Sequence, residues 1–212
     1  MVKRDGFIEF PDAKGIVVSG DIHGDFTLLV HKCCVQYGMT DTLIIVAGDC
    51  GFGFAKKGFY DSIYEKCRGK LAKANNWLVF VRGNHDNPAY FENGVIRHKR
   101  WMTIPDYSVI KACGHSILCV GGATSIDRLH RVMNKHWHPI DKDEPLAPNV
   151  YWPNEQPIYD ETKLDAIDQY SAIDTVITHT SPSFCELSSH IEDVMFHMLD
   201  IMELREIPPV EY

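Results

Sequence analysis

No stretch of the 212-residue chain stays apolar for the roughly 20 residues that a membrane-crossing helix needs. Lys3 and Arg4 near the start have no apolar run behind them, so no signal peptide is expected, and the expected location is the cytoplasm. Cysteine occurs seven times, at Cys33, Cys34, Cys50, Cys67, Cys113, Cys119 and Cys185, an odd number without a C-x-x-C pair. That excludes a zinc ribbon or a disulfide scaffold and leaves small packing residues of a reducing compartment. Positive charge is also short, with 21 Lys and Arg against 29 Asp and Glu and a net charge of -8. Gripping nucleic acid depends on basic residues that neutralise phosphates, so nucleic acid is not expected as a partner. A phosphate substrate remains open, because bound metal ions can supply the local positive charge. There is no internal repeat and no low-complexity tract. At 45% hydrophobic and 24% charged the chain reads as globular, and its length suits one domain over residues 1–212 better than two.

What is present is an alternation of short β-branched apolar runs with amphipathic stretches, the pattern of a layered α/β domain. Ile16-Val17-Val18 reads as a buried strand ending at Ser19-Gly20-Asp21, and residues 43–47 as the next, ending at Gly48-Asp49. Residues 77–81 form a third, running into Arg82-Gly83-Asn84-His85-Asp86, and residues 175–178 a further one, ending in His179. Residues 26–37 and 59–75 carry apolar side chains at helical spacing, with Ile63, Cys67 and Leu71 four apart in the second. Residues 107–110 and 117–120, with Gly114 between them, predict a hairpin. Residues 134–157 hold Pro139, Pro145, Pro148, Pro153 and Pro157 and predict a long irregular loop.

Polar residues collect at the ends of these strands. Three apolar runs end in Gly-Asp-x-His, Gly-Asp and Gly-Asn-His-Asp, and a fourth in Thr-His. Ligand sites in open α/β sheets form at the carboxyl ends of strands, so Asp21, His23, Asp49, Asn84, His85 and His179 are expected to meet. Carboxylate, imidazole and amide oxygen together suit a divalent transition metal such as Mn, Fe, Zn or Ni. Singly, each motif has a plainer reading: Gly-Asp after a strand is ordinary turn chemistry, and a lone histidine is more often hydrogen-bonded structure. Turn chemistry alone does not require four such ends in succession, each directly after an apolar run, and their coincidence favours a metal site. Arg82 and Arg128 are candidates to bind a substrate phosphate, with a structural arginine as the level alternative. His136 and His138, in the proline-rich stretch, read as solvated loop residues.

Asp21-x-His23, Gly48-Asp49, Gly83-Asn84-His85-Asp86 and Thr178-His179 resemble the successive motifs of the calcineurin-like metallophosphoesterase superfamily. Gly121-Gly122-Ala123-Thr124-Ser125-Ile126-Asp127-Arg128 is similar to a segment of its bacterial and phage members. The resemblance implies two facing mixed sheets flanked by helices, with two divalent metal ions at the loop ends and manganese the expected ion in vitro. It implies Asp21 and His23 as ligands of one ion, Asp49 as a bridge, and Asn84 and His179 as ligands of the other. It implies His85 as general acid, oriented through its other ring nitrogen by Asp86. The implied reaction is phosphoester hydrolysis by a metal-bridging hydroxide, on a phosphoprotein, a nucleotide or a small phosphoester. Two ions about 3.5–4 Å apart would clamp both oxygens of an in-line displacement.

One further motif of that superfamily, Gly-His-x-His, has no counterpart after His179; Gly114-His115 lies upstream and lacks the second histidine. Residues 191–200 resemble the closing strand that follows the motif in relatives, so a segment carrying it is expected to be missing near residue 188. Each ion would then lack one imidazole, with His190 the candidate substitute and His197 expected to face solvent. Two functional readings follow. One is a metal-dependent phosphoesterase, favoured by His85 with Asp86. The other is a catalytically impaired protein of the same fold that serves as a binding module, favoured by the missing motif.

Overall fold

The computed structural model describes residues 2–4, 6–92, 94–128 and 151–181. In chain order the strands are β1 (Val2–Arg4), β2 (Phe7–Phe10), β3 (Gly15–Ser19), β4 (Thr42–Ala47), β5 (Trp77–Val81), β6 (Arg97–His98), β7 (Trp101–Thr103), β8 (Ser108–Ala112), β9 (His115–Val120) and β10 (Thr175–Thr178). The helices are α1 (Phe26–His31), continued by a π-helical turn over Lys32–Gln36, α2 (Lys57–Ala74), α3 (Ala89–Glu92) and α4 (Glu161–Asp168). One sheet runs β1-β2-β8-β9-β10 and the other β3-β4-β5-β7-β6. In the second sheet β3, β4, β5 and β7 are parallel, and β6 returns antiparallel to β7. The first sheet is mixed as well: β2–β8 and β9–β10 are parallel, β1–β2 and β8–β9 antiparallel. This is the expected α/β architecture of two mixed sheets with flanking helices. No helix among the described residues is long and apolar enough to cross a membrane.

The continuous apolar runs have a simple cause: the central strands are buried on both faces. Along β4, Leu43 and Ile45 join a core shared with Ile8, Phe10, Ile110 and Ile117 of the other sheet, while Ile44 and Val46 point to the helices. Trp77, Val79 and Val81 of β5 face the first way, and Leu78 and Phe80 the second. A period of two therefore divides one run between two cores. Helix α2 closes the outer layer with Tyr60, Ile63, Cys67, Leu71 and Ala74 buried along one stripe. It stops at Asn75, whose left-handed conformation (φ 54°) lets the Asn76 amide reach back to the Leu71 carbonyl at 3.0 Å. A third, smaller core packs Ile167 of α4 on Val109 and Leu118 of the first sheet.

The strands expected beside the motifs occur as β3, β4, β5 and β10, and the hairpin as β8–β9 with Ser108 opposite Cys119. Cys33, Cys50, Cys67 and Cys119 are buried packing residues, Cys34 is half-buried and Cys113 is exposed, all six as free thiols. Of the expected proline-rich loop only residues 151–157 are described. His136, His138, Cys185, His190, His197 and the expected strand at 191–200 lie outside the described residues.

Candidate metal centre

The parallel alignment of β3, β4 and β5 sets their carboxyl ends side by side, and β10 delivers His179 to the same place from the other sheet. The loop after β3 is pinned to the loop after β4: the amides of Ile22 and His23 donate to the Asp49 carbonyl (3.2 and 2.9 Å) and that of Gly24 to Cys50 (2.8 Å). His23 and Asp49 both hold left-handed backbone conformations, φ 42° and 45°. That conformation is sparsely populated outside glycine and gathers at sites where the surrounding structure imposes it. Two glycines permit the close approach. A Cβ on Gly48 would strike the His179 ring, and one on Gly83 would strike the backbone of Asp49.

Asp86 ties these loops together from below. It is 0% exposed. Its carboxylate accepts the amides of Cys50 (3.0 Å), Gly51 (2.8 Å), Phe52 (2.8 Å) and Gly83 (2.8 Å). Burial raises this carboxyl above its ordinary range, against the pull of those amides. Phe52 anchors the same loop from the helix side, its ring lying 4.9–5.9 Å from those of Phe26, Tyr60, Phe80, Tyr90 and Phe91. Where Asp86 was expected to orient His85, the structure shows its oxygens accepting four backbone amides of two loops.

On this frame the candidate ligands converge. His179 Nε2 lies 3.0 Å from Asn84 Oδ1 and 3.2 Å from Asp49 Oδ1, and its Nδ1 lies 2.9 Å from the Ala47 carbonyl. A carbonyl can only accept, so Nδ1 carries hydrogen and Nε2 is the nitrogen turned to the cluster. His23 Nε2 stands 3.8 Å from Asp21 Oδ2 and 3.9 Å from Asp49 Oδ2. The His23 and His85 rings meet edge to face at 5.5 Å. Among the described residues two groups could hold a metal ion, His23 with Asp49 and His85, and Asp21 with Asp49 and His179, each with ligand atoms within 4.8 Å. Asp49 belongs to both.

The electrostatics agree with this donor set. Burial by itself would raise the Asp49 carboxyl, but the His179 ring and the His85 amide (2.8 Å) outweigh it and hold Asp49 below its ordinary range. Burial works against charge on His179 too, and the Asp49 carboxylate overrides it and raises that imidazole. An imidazole nitrogen facing a carboxylate oxygen and an amide oxygen needs positive charge between them. A proton supplies that in the bare protein and a divalent cation would supply it better, so the residues present fit a metal.

The two arginines part company. Arg82 is 5% exposed. Its guanidinium donates to the carbonyls of Glu155 (2.6 Å) and Gln156 (3.2 Å) and to Asp106 Oδ2 (2.7 Å). Of the two level readings of Arg82 these contacts favour the structural one, because its donors hold residues 154–156 and Asp106 against the strand end. Arg128 is half-buried and makes no hydrogen bond or ion pair among the described residues. Sequence reasoning missed Ser125 and Glu155, which join this site through Asn84: Asn84 Nδ2 donates to Ser125 Oγ at 2.9 Å. Ser125 stands inside the 121–128 motif, but nothing in the sequence marks Glu155. Beside His85 a cavity of about 580 Å³ opens, lined by His23, Asp25, Phe54, Phe59 and Tyr60.

The chain is a two-sheet α/β fold that gathers carboxylate, imidazole and amide groups at its strand ends, a donor set that could hold a metal ion. The family model of calcineurin-like phosphoesterases matches residues 15–195, and the chain belongs to that family. The family is one of phosphoester hydrolases that usually bind divalent metal ions, and this chain carries candidate ligand groups for them. Comparison with curated proteins and with solved structures found no match.

Proposed function

We propose that residues 1–212 form a single cytoplasmic domain of the bacterial and phage type that hydrolyses phosphoester bonds at a two-metal centre. The observation that carries this reading is Asp49, a buried carboxylate common to both ligand groups. Asp21, His23, Asp49, Asn84 and His179 would hold the ions, with manganese the ion for in vitro work. When bound there, two divalent cations supply Lewis-acid charge and make water nucleophilic at neutral pH.

The chain's own residues do the rest. His85 stands between the ligand cluster and the cavity, so it holds a proton at its ring nitrogen for the oxygen that leaves. Phe54 and Phe59, 39% and 48% exposed, form an apolar wall for the group attached to that oxygen. Arg128 supplies a guanidinium for a phosphate oxygen. The substrate is a phosphoprotein, a nucleotide or a small phosphoester.

The test is hydrolysis of p-nitrophenyl phosphate and an alkyl phosphate before and after chelation, with Mn²⁺ added back. Turnover lost to chelator and restored by Mn²⁺ supports the reading. Turnover with no metal dependence overturns it. His85→Ala is expected to lower kcat by about 10²-fold on the alkyl ester, within the usual range for a general acid. The loss is expected to be smaller on the aryl ester, whose leaving oxygen needs little protonation. Equal losses on both would remove His85 from that role. The second reading, a binding module, rests on the absence of Gly-His-x-His after His179. It predicts Mn²⁺ binding without turnover of either ester.

A further inference from the structure

A side-chain amide has two ends of nearly the same shape, and only one of them can ligate a cation. What turns the oxygen of Asn84 towards His179 is therefore a question the site must answer. The amide nitrogen of Asn84 meets Ser125 Oγ at 2.9 Å. That hydroxyl donates in turn to Glu155 Oε2 at 2.8 Å, and the Ser125 amide donates to Glu155 Oε1 at 2.7 Å. Ser125 and Glu155 are 2% and 1% exposed, so water does not compete for these bonds.

The polarity of the chain is forced from its far end. A carboxylate only accepts, so Ser125 must give it the hydroxyl hydrogen and turn a lone pair to Asn84. Only the NH₂ end of Asn84 can meet a lone pair. Its oxygen is left facing His179 Nε2 at 3.0 Å. Glu155 is itself fixed in place, because Arg82 donates to its carbonyl at 2.6 Å and is held by Asp106 at 2.7 Å. Arg82 and Asn84, on either side of Gly83, thus grip the same distant segment, one by its backbone and the other through Ser125.

We propose that Ser125 and Glu155 are positioning residues that set the direction of the Asn84 amide and so present its oxygen as a ligand. The assignment rests on the metal-site reading above for its consequence, but the amide's direction is a property of the protein alone. Loss of an outer partner of a metal ligand typically weakens metal binding 10–100-fold.

Two measurements test it. The first needs no metal: hydrogen exchange of the Asn84 side-chain NH₂, identified in ¹⁵N spectra by its disappearance in Asn84→Ala. Protection in the wild type and its loss in both Ser125→Ala and Glu155→Gln is the expected result. Unchanged protection in these variants overturns the proposal, whether or not the protein binds metal. The second is Mn²⁺ titration by calorimetry. Ser125→Ala and Glu155→Gln are expected to bind about 10–100-fold more weakly, and Ser125→Ala to add nothing in an Asn84→Ala background. Additive losses would mean that Ser125 acts by another route. Glu155→Gln keeps the side chain's shape, so it remains informative where Ser125→Ala fails to fold. A wild type that binds no Mn²⁺ would defeat the metal-site reading and leave the exchange result to decide the amide's direction.

Discussion

Asp49→Asn is expected to lower kcat/KM for p-nitrophenyl phosphate with Mn²⁺ by about 10³-fold or more. The magnitude follows from the share of barrier lowering that metal ions supply, several kcal/mol, at 1.36 kcal/mol for each factor of ten. Asp49 is the natural place to remove it. It is common to both candidate ligand groups and is 5% exposed, so water cannot replace its charge cheaply. The substitution is also gentle on the fold. Asparagine keeps an oxygen for the His85 amide, which Asp49 Oδ1 now accepts at 2.8 Å, and an unchanged side-chain volume in the close quarters beside Gly83. A melting temperature within a few degrees of wild type should accompany the loss of turnover and of Mn²⁺ binding by calorimetry. Activity retained within tenfold would mean that this carboxylate holds no catalytic metal.

Much of the centre was legible in the sequence, for a physical reason. Strands buried on both faces must be written as unbroken apolar runs, and the first polar residue after such a run marks the strand's carboxyl end. Residues 43–47 and 77–81 announce β4 and β5 in this way, with Asp49 two residues beyond the one and Asn84 three beyond the other. The short elements could not be seen. β6 has two residues, β7 three and α3 four, lengths at which no period repeats, and they exist because neighbours hold them. β2 was hidden differently: Phe7-Ile8-Glu9-Phe10 is too short to read as a strand alone, and it forms by parallel pairing with β8 a hundred residues away.

Two residues close in sequence to the candidate ligands turn away from the cluster. Arg82 and Asp86 flank Gly83-Asn84-His85; the sequence left Arg82 level between a substrate phosphate and a structural role, and the family resemblance implied His85 as the partner of Asp86. The turn sends its middle and outer side chains in opposite directions. Asn84 and His85 go to the cluster, while Arg82 and Asp86 go into the protein, where one meets the carbonyls of residues 155–156 and the other the amides of residues 50–52. Which of these directions a side chain takes depends on where distant carbonyls and amides stand, and no local pattern encodes that.

Asp86→Ala is the substitution expected to cost the most stability. Four backbone amides, those of Cys50, Gly51, Phe52 and Gly83, would lose their acceptor in a region that is 0% exposed at Asp86. An unpaired buried donor costs about 1–3 kcal/mol, and a water entering the vacated space would satisfy some of the four, so a total of about 4 kcal/mol is expected. For a chain of this length that is a fall of about 8–16 °C in melting temperature. Asp86→Asn retains one carbonyl oxygen and loses the other, so roughly half the effect is expected, with its NH₂ turned against amides that have nothing to accept it. The same pair of variants separates two jobs for Asp86. Were it only an orienting partner of His85, turnover would fall while the melting temperature held. A fastener of the two loops gives the reverse order: stability drops first, and Mn²⁺ affinity drops with it, because this carboxylate joins the loop that carries Asp49 to the turn that carries Asn84. Thermal melts of the metal-free variants, set beside Mn²⁺ titrations below their transitions, distinguish the two. A melting temperature unchanged in Asp86→Ala would show that the amides find other acceptors and that the packing of Phe52 and the bond from the His85 amide to Asp49 suffice to hold the loops.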